Sequence, residues 1–209
     1  MSKLVPAGLI ALALVPSAVG VVRLGEFASG TGPSDNPPAP VIVHIVAVLL
    51  YSLLGAFQFD SSVRRQHPSR HRRAGRVVVV AGLAVAASGA WMTLAYDLPS
   101  HDGVVVNAAR LVVAAVMAAG LVLAVAAIRR RDVRRHRAWM IRAYALALGA
   151  GTQAFTLGGW TAFAGQPGTF ARAVLMILAW LINVAVAEWV IVRGAARASR
   201  AGRHPGLAR

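Results

Sequence analysis

Six stretches of this chain run for about twenty residues with almost no charge, and the loops between them alternate between arginine-rich and arginine-poor. The stretches are Leu4–Val22, Pro40–Phe59, Val77–Ala95, Val104–Ile128, Ala138–Trp160 and Phe170–Val192. A helix needs roughly 20 apolar residues to cross about 30 Å of hydrocarbon, so each run is long enough. The runs exceed the length of barrel strands and lack their alternation. In lipid every backbone group must be bonded within its own segment, which selects helices. The expected fold class is therefore all-α: a polytopic transmembrane bundle of six helices, one domain over residues 1–195, with a basic, disordered tail over 196–209. Composition agrees. The chain is 57% hydrophobic and 14% charged, with mean hydropathy +0.63, whereas soluble domains carry about a quarter charged residues.

The arginines set the expected direction. Arg64, Arg65, Arg70, Arg72, Arg73 and Arg76 follow the second run. Arg129, Arg130, Arg131, Arg134, Arg135 and Arg137 follow the fourth, and Arg193, Arg197, Arg200, Arg203 and Arg209 follow the sixth. The intervening loops hold Arg23 against Glu26, Asp35, Asp97 and Asp102. Excess Lys and Arg mark cytoplasmic loops, so both termini are expected in the cytoplasm, in a multi-pass protein of the cytoplasmic (plasma) membrane. The net charge of +15 thus reads as topology and as a belt for anionic headgroups of membrane lipids. It does not read as a nucleic-acid surface, because the bias alternates loop by loop. A rival for the first run is a cleaved signal peptide, given Lys3, the apolar stretch and the small residues Ala18 and Gly20. The "GTGPSDNPP" segment reads as a loose external loop.

Small residues recur at four-residue spacing, Gly82, Ala86 and Ala90 in the third run and Ala143, Ala147 and Gly151 in the fifth. Such rows let helices approach closely in lipid. The stretches from His71 and from His136 also resemble each other, as a parallel repeat or as coincidence of alanine-rich composition.

Ionisable residues inside membrane segments are costly and tend to have a purpose. Arg142 and Glu188 fall at matched depth near the inner boundary. They read as a structural ion pair or snorkelling groups, or as a proton-coupled site. His44 and Arg110 form a candidate outer-side site, with Arg172 close to the same surface. His44 reads as an interfacial histidine, a proton relay or an axial haem ligand. His71 and His136 share a depth at the inner mouth, with arginines beside them that suit propionates or phosphates. No cofactor is expected. The alternative is b-type haem with ligands among His44, His71 and His136, although no two of them face each other within the hydrocarbon. With no cysteine, disulfides, thiolate zinc sites and iron–sulfur clusters are excluded. No metal site, catalytic residue, dinucleotide turn or nucleophile elbow stands out.

Three motifs carry a resemblance. "HIVAVLLYSLLGAFQF" supplies His44, Gly55, Gln58 and Phe59. "HPSRHRRAGR" supplies His71, Arg72, Gly75 and Arg76, and "RRHRAWMIRAYAL" supplies His136, Trp139, Met140 and Arg142. Together they resemble the bacterial integral membrane proteins grouped as domain-of-unknown-function family 2306, over roughly Val41 to Thr156 and extending to the last helix. The resemblance implies a multi-helix membrane protein and supplies no reaction or substrate. It draws attention to an inner-mouth polar set of Gln58, His71, Arg72, Arg76, His136, Arg142 and Glu188, expected to converge on an anionic headgroup or cofactor phosphate. The default expectation is a non-enzymatic membrane component, such as a small transporter, channel-like subunit or assembly partner. The alternatives are a haem- or quinone-linked redox protein and an anionic-lipid-binding or lipid-modifying protein. No protein partner is indicated.

Overall fold

The computed structural model describes residues 4–32 and 38–203, and every regular element among them is helical. The elements are α1 (Leu4–Ala28), α2 (Pro38–Gln58), α3 (Ser61–Gln66), α4 (Pro68–Ala95), a single 3-10 turn (Ser100–Asp102), α5 (Gly103–Arg129), α6 (Val133–Ala147), α7 (Gly149–Ala164) and α8 (Thr169–Arg203). Most of the "GTGPSDNPP" loop lies outside the described residues.

Five helical segments are long and apolar enough to cross a membrane: Val5–Ala28, Pro38–Gln58, Pro68–Ala95, Ser100–Arg129 and Thr169–Arg197. The fifth apolar run is different. It falls on α6 and α7, of 15 and 16 residues, which meet at Leu148. The sequence "GAG" at 149–151 is the physical reason, since glycine is among the poorest helix formers. Asn183 of α8 ties the two halves. Its Nδ2 donates to the Ala145 carbonyl before the break at 3.1 Å, and its Oδ1 accepts from Thr152 Oγ1 after it at 2.8 Å.

Helix ends follow local chemistry. Asp60 caps the short, unanticipated α3, accepting from Ser62 N at 2.7 Å and Ser62 Oγ at 2.8 Å. Those bonds hold its carboxyl below the usual carboxylate range. Pro68 opens α4 at a position where its missing N–H is harmless. That start is nine residues ahead of the apolar run, because Arg and Ala extend a helix readily. For the same reason α8 runs on to Arg203 through residues expected to belong to a disordered tail; residues 204–209 lie outside the described ones. The α5–α6 turn is tight. Arg131 N donates to Ile128 O and Asp132 N to Ala127 O, with Arg131 at φ 60°. This is a Schellman turn with arginine at the position glycine usually takes.

Helices α1, α2, α5 and α8 pack on the α6–α7 pair, and α4 packs on α2 and α5. Of that pair, α6 packs on α2, α5 and α8, and α7 packs on α1 and α8. The core centres on two tyrosines. Tyr51 (0% exposed) and Tyr144 (3%) pack with their rings tilted by 36° and centroids 5.5 Å apart, and Phe59 meets Tyr144 edge-on at 5.0 Å. Glycine makes room for them. A Cβ at Gly82 would lie 2.5 Å from Tyr51 and 2.7 Å from Leu121, and one at Gly55 would strike the Tyr144 ring. Gly151 likewise admits the backbone of α1 at Leu12, and Gly149 admits Trp180. Two of these, Gly82 and Gly151, belong to the expected small-residue rows.

The tyrosines differ in one respect. Tyr144 Oη donates to the Ser52 carbonyl at 2.7 Å, joining α6 to α2. Tyr51 Oη is buried with no partner among the described residues. A net hydrogen bond is worth about 1 kcal/mol, whereas an unmet buried hydroxyl is a cost. Tyr144→Phe is therefore expected to lower stability by about 1 kcal/mol, and Tyr51→Phe to leave it unchanged or raise it. Thermal unfolding of both variants in one detergent checks the difference in sign.

Candidate functional site

The polar residues fall at two ends of the bundle. Gln58, at the end of α2, lies beside Gly75 of α4. Arg137 of α6 lies against Gly194 of α8. These contacts bring the α2–α4 connection, the α5–α6 turn and the C-terminal part of α8 to one end, which carries the arginine runs. The opposite end carries Asp102, Arg110 and Arg172.

At the basic end, Arg142 and Glu188 meet as a fork-to-fork pair, Nε to Oε1 at 2.6 Å and Nη2 to Oε2 at 2.9 Å. The Trp139 ring lies under the guanidinium, 4.9 Å from its Cζ. Arg142 is thus engaged on two sides and links α6 to α8. Arg193 sits similarly over Trp189, at 4.1 Å. His136 Nδ1 lies 2.9 Å from the Ala124 carbonyl of α5. A carbonyl only accepts, so Nδ1 is the donor. His71 lies within electrostatic reach of His136, Arg64 and Arg72, and its Nδ1 is buried without a partner among the described residues. Arg72 and Arg76 are exposed and form no salt bridge among the described residues.

Within the inner-mouth set, His71 and His136 lie within electrostatic reach of each other and Arg142 pairs with Glu188, while Gln58 rests on α4.

The outer-side pair separates too. His44 Nδ1 lies 2.9 Å from Ser88 Oγ, tying α2 to α4. The Ser88 hydroxyl donates to the Ala84 carbonyl, so the ring nitrogen is the donor to Ser88. Arg110 instead meets Asp102, Nη2 to Oδ2 at 2.8 Å, and donates to Asn107 at 3.0 Å. Arg172 of α8 reaches the other oxygen of the same carboxylate, Nε to Oδ1 at 2.6 Å. Asp102 is 2% exposed, between two guanidiniums, with Gly103 at φ 61° turning the chain into α5. Reading the sequence treated Asp102 as a loop acid and missed this cluster. The signal was present: an acid at a helix start, eight residues ahead of an arginine in that helix.

Depth also bears on haem. His44 precedes Gln58 by fourteen residues in α2, about 21 Å at 1.5 Å per residue. His71 and His136 lie at the Gln58 end, so His44 cannot share an iron with either. Among the described residues no cluster of three His, Cys, Asp or Glu has metal-binding proximity.

The two ion clusters differ in burial. The Asp102 side chain is 3% exposed, whereas Arg142 and Glu188 are 34% and 42% exposed. Removing one partner of a buried pair leaves an uncompensated charge. Asp102→Asn is expected to cost about 3 kcal/mol. Glu188→Gln, whose pair is more exposed and lies near the basic end of its helix, is expected to cost less. Unfolding midpoints of the two variants, measured side by side, check the order.

The chain belongs to the predicted membrane proteins of domain-of-unknown-function family 2306, whose family model matches residues 41–191. No curated protein and no solved structure matches the chain.

Proposed function

We propose, from that membership and from the charge on the bundle, a non-enzymatic component of the cytoplasmic membrane that gathers anionic lipid at its basic end. It crosses six times, with both termini in the cytoplasm. The fifth crossing is α6–α7, which starts at the arginine-rich α5–α6 turn and ends at the loop around Gly165, beside the start of α8. The positive-inside rule then directs the arginine-rich end to the cytoplasm.

One observation carries the lipid reading. Arg64, Arg65, Arg70, Arg72, Arg73 and Arg76, and Arg129 to Arg137, form no salt bridge among the described residues. The nearby acids are used otherwise: Asp60 caps α3, Asp132 caps α6 through Arg135 N at 2.9 Å, and Glu188 holds Arg142. The arginines are left to the phosphates of the leaflet they face. The non-enzymatic reading is supported by how the deeper polar groups are engaged. Arg142, Glu188, Asp102, Arg110, Arg172 and Asn183 are tied to one another or to backbone, chiefly across helices.

Each basic residue near an anionic surface is worth about 1 kcal/mol. Polymer-excised discs of the full chain are therefore expected to be several-fold enriched in phosphatidylglycerol over the bulk membrane. Replacing Arg64, Arg65, Arg70, Arg72 and Arg73 together by Gln is expected to reduce that enrichment. Discs of bulk composition around the unaltered chain would contradict the reading.

A further inference from the structure

A groove of about 500 Å³ runs along the outside of the bundle between α4 and α5. Its walls are Val79 and Leu83 of α4 and Leu121 and Val125 of α5, and its end is Arg129 and Arg130. The sequence explains its shape. Val79 and Leu83 are four residues apart, so they share a face of α4. Val122, Val125 and Arg129 follow each other at three- and four-residue spacing and line the groove, so one ridge of α5 changes from apolar to cationic at its last turn. From Val122 to Arg129 the ridge is about 10 Å long at 1.5 Å per residue. Half of a 30 Å hydrocarbon layer is about 15 Å.

We propose that this groove is a binding site for one anionic phospholipid, an acyl chain lying along Val122 and Val125 and the phosphate held between Arg129 and Arg130. The assignment rests on the lipid reading above and narrows it to one place. Charge complementarity selects the occupant. Both arginines are exposed, neither forms a salt bridge among the described residues, and guanidinium matches phosphate geometry with paired donors. A second groove, lined by Val105, Phe170, Val174 and Ile177 between α5 and α8, has no charged lining and serves as an internal control.

Native mass spectrometry of the full chain, purified in mild detergent with equal phosphatidylglycerol and phosphatidylethanolamine, tests the site. One phosphatidylglycerol per chain is expected to survive. The Arg129→Gln, Arg130→Gln double variant is expected to lower its retention about fivefold, in line with the worth of basic residues at a lipid surface. Val125→Trp is expected to lower retention of both lipids, and Val174→Trp of neither. Should Val125→Trp not fold, Leu83→Phe fills the same groove. Undiminished retention in the double Gln variant, with loss in the variant lacking the five α3–α4 arginines, would overturn the groove while sparing the broader reading. No preference for phosphatidylglycerol in any form would overturn both. A dimer that Val125→Trp makes monomeric would show a second copy in the groove and overturn the assignment.

Discussion

A polar group facing hydrocarbon has no water to turn to, and the bundle is organised around that scarcity. Backbone groups are satisfied by making every described regular element a helix. Side chains are satisfied chiefly by reaching a neighbouring helix. His44 joins α2 to α4, Tyr144 joins α6 to α2, His136 joins α6 to α5, Arg142 joins α6 to α8, and Asp102 joins α5 to α8. Each tie needs two helices at a set rotation and depth, so together they specify a packing that lipid-soluble surfaces alone would leave open.

The interrupted helix carries most of these ties. Three glycines matter around it. Gly55 receives the Tyr144 ring, Gly149 receives Trp180, and Gly151 receives the backbone of α1. Gly149 and Gly151, which allow close approach, also weaken the helix, and the break at Leu148 is where that cost falls. Asn183 compensates by bonding on both sides of it. A strong helix former at 149 or 151 would straighten the segment and lose the contact with α1 or α8.

Much of this was legible in the residues. Apolar length located the segments, because hydrocarbon thickness is a simple ruler, but not the polar ends by which α1, α4 and α8 extend beyond them. Matched depth and opposite charge found the Arg142–Glu188 pair, and the small-residue rows found the close contacts at Gly82 and Gly151. What stayed hidden depends on rotation about a helix axis, which an alanine-rich helix scarcely encodes. That is why Ser88 was not seen as the partner of His44. Asp102 was hidden for another reason. Its second partner, Arg172, lies seventy residues away, and only the fold brings α8 beside the start of α5.

The account depends most on α6–α7 crossing the membrane despite its break, since that crossing puts every arginine run on one side. The chain has no cysteine, so single cysteines report cleanly. Val133→Cys stands at the start of α6 and Gln166→Cys just beyond α7. With an impermeant maleimide on intact cells, the position at 166 is expected to react and the position at 133 to react only after permeabilisation. Reaction of both from the same side would place α6–α7 as a re-entrant segment and contradict the account.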